Sequence, residues 1–360
     1  MPDPQTSEPL PPGTVLGGTY RLTRLLGEGG MGAVYEAYHA GAGKRVAVKV
    51  MHRGLLAYPE LSARFRREAK VTSELNHPHV VKVFDLGFGP AGEPYLVMEF
   101  LEGEDLHTRI ERGGPLPLQT VVAIVNQVAS ALAEAHTASV VHRDLKPDNV
   151  FLVGAPDAPV LAKVVDFGIS KILKVSATKL TVARAIIGTP EFMAPEQAEG
   201  RHDQIDHRTD QWSLACVAWV ALTGCLPFSG PDPNATLNQV ISAVPTPPAP
   251  GAPRVAPEIE TVLRRALSKR PFDRFPTIRA FARYFEGAAS QVQTAAPPRA
   301  APAAVPAQAP ARQRGGRSGA ALALWLAAAL AIVAGGAWAL RDRPPISTYL
   351  GRARALLQRR

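Results

Sequence analysis

His142-Arg143-Asp144-Leu145-Lys146-Pro147-Asp148-Asn149 decides how this chain is read, together with Asp166-Phe167-Gly168, which begins seventeen residues after Asn149. These two segments supply a proton-accepting carboxylate (Asp144), a lysine (Lys146) and two oxygen donors suited to a hard cation (Asn149 and Asp166). Any one of them alone reads as a solvated loop residue. Together, in this order and spacing, they suit the transfer of a phosphoryl group to a hydroxyl. Such chemistry rests mostly on positioning and electrostatics, so a few groups suffice.

The upstream sequence supplies matching parts. Leu26 precedes Gly27-Glu28-Gly29-Gly30-Met31-Gly32-Ala33-Val34. A dinucleotide fingerprint with similar glycines opens a helix. Here the following residues, Val34-Tyr35-Glu36-Ala37-Tyr38, are strand-like, which suits a loop between two strands whose backbone N–H groups close over phosphates. Val46-Ala47-Val48-Lys49 puts a lysine at the end of an apolar strand, where it needs an anionic partner. Residues 61–75 show helical spacing with Glu68 on the apolar face, so Glu68 and phosphate oxygens are both candidate partners for Lys49.

The bulk numbers narrow the class. The net charge of +9 resides in the tail: from Ser290 onward there are ten Arg, no Lys and one acid, Asp342, which leaves residues 1–289 neutral. A neutral globular part with a basic tail gives no support for a nucleic-acid surface. Two cysteines, Cys216 and Cys225, have neither metal nor disulfide spacing.

Along the chain, 1–18 reads as a flexible leader without a signal-peptide pattern. Residues 19–101 are rich in short strands at 20–26, 33–39, 45–51, 80–84 and 95–100. Residues 102–288 turn to long helical segments at 119–137, 209–222, 255–269 and 277–286. Residues 289–318, rich in Ala and Pro, read as a disordered linker. Within 319–340, the stretch 320–340 is 21 uncharged residues, about 31 Å as a helix and long enough to cross a hydrocarbon core of about 30 Å. A short basic tail, 341–360, follows.

The strings G-x-G-x-x-G-x-V at 27–34, VAVK at 46–49, HRDLKPDN at 142–149, DFG at 166–168, GTPEFMAPE at 188–196 and DQWSL at 210–214 make residues about 20–286 resemble the bacterial eukaryotic-like (Hanks-type) Ser/Thr protein kinases. The resemblance implies an α+β, two-lobed protein kinase fold: a small β-rich N-lobe with one helix (the family's αC) and a larger helical C-lobe, with ATP between them. It implies Asp144 as catalytic aspartate, Lys146 as support for the transferring phosphoryl, Lys49–Glu68 as an ion pair, and Asn149 and Asp166 as ligands of Mg²⁺, for which Mn²⁺ is a substitute. It makes Met98 the gatekeeper and Glu99–Leu101 the hinge at the adenine edge, with Val34, Ala47 and Phe151 around the ring. Glu196 is expected to pair with Arg274. Lys146 and Thr189 are the Ser/Thr versions of their motifs. Arg143 implies control by activation-loop phosphorylation, at Thr181 first and Thr178 second, with Ser176 the remaining hydroxyl. Ala215 and Arg270 depart from the family pattern, both in structural segments.

The resemblance thus implies ATP-dependent phosphorylation of protein Ser/Thr hydroxyls and autophosphorylation in a homodimer. With the apolar stretch 320–340, the expectation is a single-pass inner-membrane protein whose kinase domain, needing ATP, is cytoplasmic. A pseudokinase or scaffold is the alternative, although no catalytic or metal residue is missing. The six arginines beyond residue 340 favour a cytoplasmic tail by the positive-inside rule, in tension with that topology.

Overall fold

The computed structural model describes residues 9–29, 32–51, 73–89, 92–155, 159–167, 190–248 and 251–295. The expected transmembrane stretch and tail lie outside these. Among the described residues, one helix, Leu118–Thr137, is long and apolar enough to cross a membrane, and half of it is buried inside the protein.

Alternation along the strands builds the upper lobe. β1 (Val15–Leu16), β2 (Tyr20–Gly29), β3 (Gly32–His39), β4 (Lys44–Met51), β5 (Val83–Phe88) and β6 (Pro94–Glu99) form one antiparallel sheet in the order β1-β2-β3-β4-β6-β5. On β4, Val46, Val48 and Val50 join an apolar cluster with Leu16, Leu22, Tyr35 and Val97. Ala47 and Met51 join a second cluster with Val83, Leu96 and Met98, packed by Val34 and Leu101. Because strand side chains alternate, Lys49 shares the face of Ala47 and Met51.

The lower lobe surrounds the largest apolar cluster. Its elements are α1 (Leu106–Gly113), α2 (Leu118–Thr137), α3 (Pro195–Ala198), α4 (His207–Thr223), α5 (Pro233–Ser242), α6 (Pro257–Ala266) and α7 (Ile278–Ala295). A small sheet, β7 (Gly103–Asp105), β8 (Val150–Val153) and β9 (Leu161–Val164), lies beside them in the order β7-β8-β9. Helix α4 is buried on nearly every side, as its unbroken apolar run requires. Asp206 caps its start by accepting from the N–H of Arg208, and Gly224 ends it in a left-handed conformation at φ 69°.

Three boundaries differ from the sequence expectation. The later half of the expected leader packs against the sheet: Val15–Leu16 form β1 with Leu16 fully buried, and the N–H of Leu10 donates to the Tyr35 hydroxyl at 2.8 Å. A two-residue strand carries too little periodicity to read. Residues 289–295, expected in the linker, continue α7, because Phe281, Phe285, Ala288, Ala289 and Val292 extend one helical stripe onto the core. The strand expected at 80–84 runs instead over Val83–Phe88, with Val80 making an isolated parallel bridge to Val164.

Candidate active site

Lys49 and Asp166 meet between the lobes. Lys49 Nζ donates to Asp166 Oδ2 at 2.7 Å, with side chains 9% and 29% exposed. Burial alone would raise the Asp166 carboxyl, but the charge and hydrogen bond of Lys49, assisted by Lys146, hold it below the usual carboxylate range. Asp166 follows β9 with φ 60°, an uncommon conformation for a side-chain-bearing residue. The next residue, Phe167, is buried with its ring 4.9 Å from that of His142.

Hydrogen bonds tie Val165, the residue before Asp166, to the 142–149 loop. Asn149 Nδ2 donates to the Asp144 carbonyl at 2.7 Å, and the N–H of Val165 donates to the Asn149 carbonyl at 3.0 Å. His142 Nδ1 accepts from the N–H of Asp144 at 3.3 Å, so its Nε2 must carry the proton shared with the Val165 carbonyl at 3.0 Å. Asp144 and Lys146 are both half-buried, with Lys146 Nζ 4.0 Å from Asp148 Oδ1.

Asp210 of α4 holds the loop from below. Its Oδ2 accepts from the N–H of His142 at 2.9 Å and its Oδ1 from the N–H of Arg143 at 2.8 Å. Burial pushes this carboxyl up, yet His136, with Nε2 2.7 Å from Oδ2, and the Arg143 N–H leave it below its ordinary value. Arg143 sits at φ 67°, and Gln197 Nε2 also holds its carbonyl at 2.9 Å. Such a conformation persists where its surroundings over-determine it. In the sequence Asp210 stands in the DQWSL string with no role assigned by the resemblance. The sequence signal for one was present: a carboxylate inside a run of Trp, Leu, Ala and Cys must be paired.

The glycine loop divides into two kinds of position. A Cβ on Gly32 would lie 2.1 Å from the Val50 carbonyl oxygen, so the protein itself requires glycine there. A Cβ on Gly27 or Gly29 would meet nothing within 4 Å, which leaves backbone accessible for close approach. Leu26 is exposed at 40% and Ala33 is buried. Glu28 pairs with Ala33 across the β2–β3 ladder.

Val34, Ala47, Met98 and Leu101 gather in one apolar cluster. Phe151 is not among its members; it sits on β8 opposite Asp105 and Lys163. Glu99 turns its carboxylate to the N–H of Lys82 at 2.8 Å and to Lys163 Nζ at 2.6 Å. Glu68, Gly30, Met31, Ser176, Thr178 and Thr181 lie outside the described residues. Glu196 and Arg274 do pair, fully buried.

The chain belongs to the protein kinase domain family, which matches residues 20–285. It has the two-lobed kinase fold, with a β-sheet N-lobe and a helical C-lobe. It is similar to the serine/threonine-protein kinase Pkn1 of Myxococcus xanthus, 45% identical over 264 residues, covering 73% of this chain and 37% of that one. It thus spans well under half the length of that relative. The crystal structure of the Mycobacterium tuberculosis PknI kinase domain matches with a TM-score of 0.60 at 30% identity, covering 78% of this chain and 100% of that one. Rad53 1–466 in complex with AMP-PNP matches with a TM-score of 0.60 at 26% identity, covering 74% and 65%.

Proposed function

We propose that this chain transfers the γ-phosphoryl group of ATP to serine and threonine hydroxyls of proteins. The observation that carries the reading is the Lys49–Asp166 ion pair, joined by hydrogen bonds through Val165 and Asn149 to Asp144. In this reading Asp144 orients the attacking hydroxyl and accepts its proton, and Lys146 steadies the transferring group. Lys49 leaves Asp166 for the phosphate oxygens. The glycine loop brings its backbone close to the phosphates, and the cluster of Val34, Ala47, Met98 and Leu101 takes the base, with Phe151 below it.

The donor set fits a hard divalent cation. Asp166 is held ionised, and the amide nitrogen of Asn149 is committed to Asp144, so oxygen is what both residues can offer. Among the described residues no cluster of three His, Cys, Asp or Glu is placed for a metal. Two protein oxygen donors suit Mg²⁺ or Mn²⁺, which would take further ligands from phosphates and water. Bound there, the ion would neutralise charge between the β- and γ-phosphates.

Substrate class rests on Lys146 and Thr189 and on the names of the relatives. Activation-loop autophosphorylation, at Thr181 first and Thr178 second, with Ser176 the remaining hydroxyl, in trans within a homodimer, would place a phosphate beside Arg143. The apolar stretch 320–340 would anchor the chain in the inner membrane as a single span, with the kinase domain cytoplasmic. Incubation with γ-labelled ATP and Mg²⁺, followed by phosphoamino-acid analysis, is expected to give phosphoserine and phosphothreonine; phosphotyrosine alone would overturn the substrate class. Protease access to a C-terminal tag on sealed vesicles tests the topology.

A further inference from the structure

We propose that Glu99 and Lys163 form a strut across the hinge that sets how closely the lobes approach a bound nucleotide. The proposal rests on the reading of the cleft as an ATP site. Glu99 ends β6 in the upper sheet, and Lys163 lies within β9 in the lower one. Lys163 Nζ donates to Glu99 Oε1 at 2.6 Å, with side chains 14% and 24% exposed.

The acceptor is preorganised. The N–H of Lys82 donates to the same Oε1 at 2.8 Å, and the N–H of Glu99 donates to the Lys82 carbonyl at 2.9 Å. Exposed ion pairs contribute little, because long side chains must be ordered in water. Here both side chains are mostly covered, and one is fixed by the backbone. Nor is the pair required for phosphate or metal: those roles fall to Lys49, Asp166 and Asn149. The Lys49–Asp166 contact must yield when phosphates enter, whereas Glu99–Lys163 can persist through turnover.

Its neighbours give it leverage. Lys163 stands opposite Phe151 in the β8–β9 register and three residues before Asp166. Glu99 follows Met98, which packs in the cleft cluster with Ala47 and Val34. Side chains alternate along a strand, so Glu99 is turned away from that cluster while its backbone stays beside it. A strut at this point fixes the distance between the upper apolar wall and Phe151. Loosening it weakens binding of the base in ground state and transition state alike, which raises KM more than it lowers kcat.

The test is a mutant cycle on the full chain, with ATP KM and kcat measured by transfer to dephosphorylated casein. Glu99→Gln retains the acceptor for Lys82, and Lys163→Met retains the aliphatic stem. Each single variant is expected to raise KM by about three- to tenfold with kcat within about twofold, and the double variant to match the singles. Lys163→Arg is expected to restore a KM near that of the unmodified chain. Unchanged KM with only a lower melting temperature, or additive effects in the double variant, would overturn the strut. An unmodified chain that neither binds nor turns over ATP would bring down the cleft reading and the strut with it.

Discussion

Glu196 and Arg274, 78 residues apart, form a two-pronged ion pair with both side chains fully buried: Nη1 lies 2.9 Å from Oε1 and Nη2 2.8 Å from Oε2. Thr209 donates to Glu196, and the carbonyls of Ser268, Lys269 and Arg208 accept from Arg274, so nearly every polar atom is used. The pair joins the segment that follows the activation loop to the late helices. Removing one partner strands a charge. Arg274→Met is expected to destabilise the lower lobe by about 3–5 kcal/mol, measurable as a drop in the urea midpoint with the slope preserved.

Lys49→Met removes the donor facing Asp166 and the cation expected to meet phosphate. Transfer is expected to fall by about 10²- to 10³-fold, the scale for losing one preorganised electrostatic contact in a site. Single-turnover rates at saturating ATP check it.

Gly27→Ala and Gly32→Ala separate ligand demand from protein demand. At Gly32 the new Cβ collides with the Val50 carbonyl, so the melting temperature is expected to fall, consistent with about 1–3 kcal/mol of overpacking. At Gly27 it meets open space. Stability there is expected to stay within about 0.5 kcal/mol, while ATP affinity falls. Calorimetry with and without ATP reads both.

Acid is expected to loosen the site. Asp166 and Asp210 titrate below their ordinary values in the folded chain. The unfolded chain therefore binds more protons as pH falls through about 4, and stability present above that range is lost on the way to the depressed folded values. Asp210→Asn is expected to flatten the decline in melting temperature between about pH 5 and pH 3. An unchanged slope would remove Asp210 from the account.

The catalytic strings were legible because phosphoryl transfer needs particular residue types at fixed offsets, as at Asp144, Asn149 and Asp166. Helices α2 and α4 were legible from length and apolar content, and Gly224 marked a true end. Helices α1 and α5 and strands β7–β9 escaped because they are short, and half-buried segments such as Val150–Val153 carry no clear period. Partners across the fold were harder. Glu99–Lys163, His136–Asp210 and Gln197–Arg143 join residues 54 to 74 positions apart. Single-residue patterning marks such groups as needing a partner without saying which.

The central claim is that Asp144 serves a hydroxyl beside a nucleotide held by Lys49, Asn149 and Asp166. The most direct measurement is γ-phosphoryl transfer by the full chain in Mg-ATP, compared with Asp144→Asn at equal ATP occupancy. The unmodified chain is expected to give labelled phosphoserine and phosphothreonine, and the variant a rate lower by about 10²- to 10⁴-fold. Equal rates in the two proteins, or ATP binding by the unmodified chain without any transfer, would contradict it.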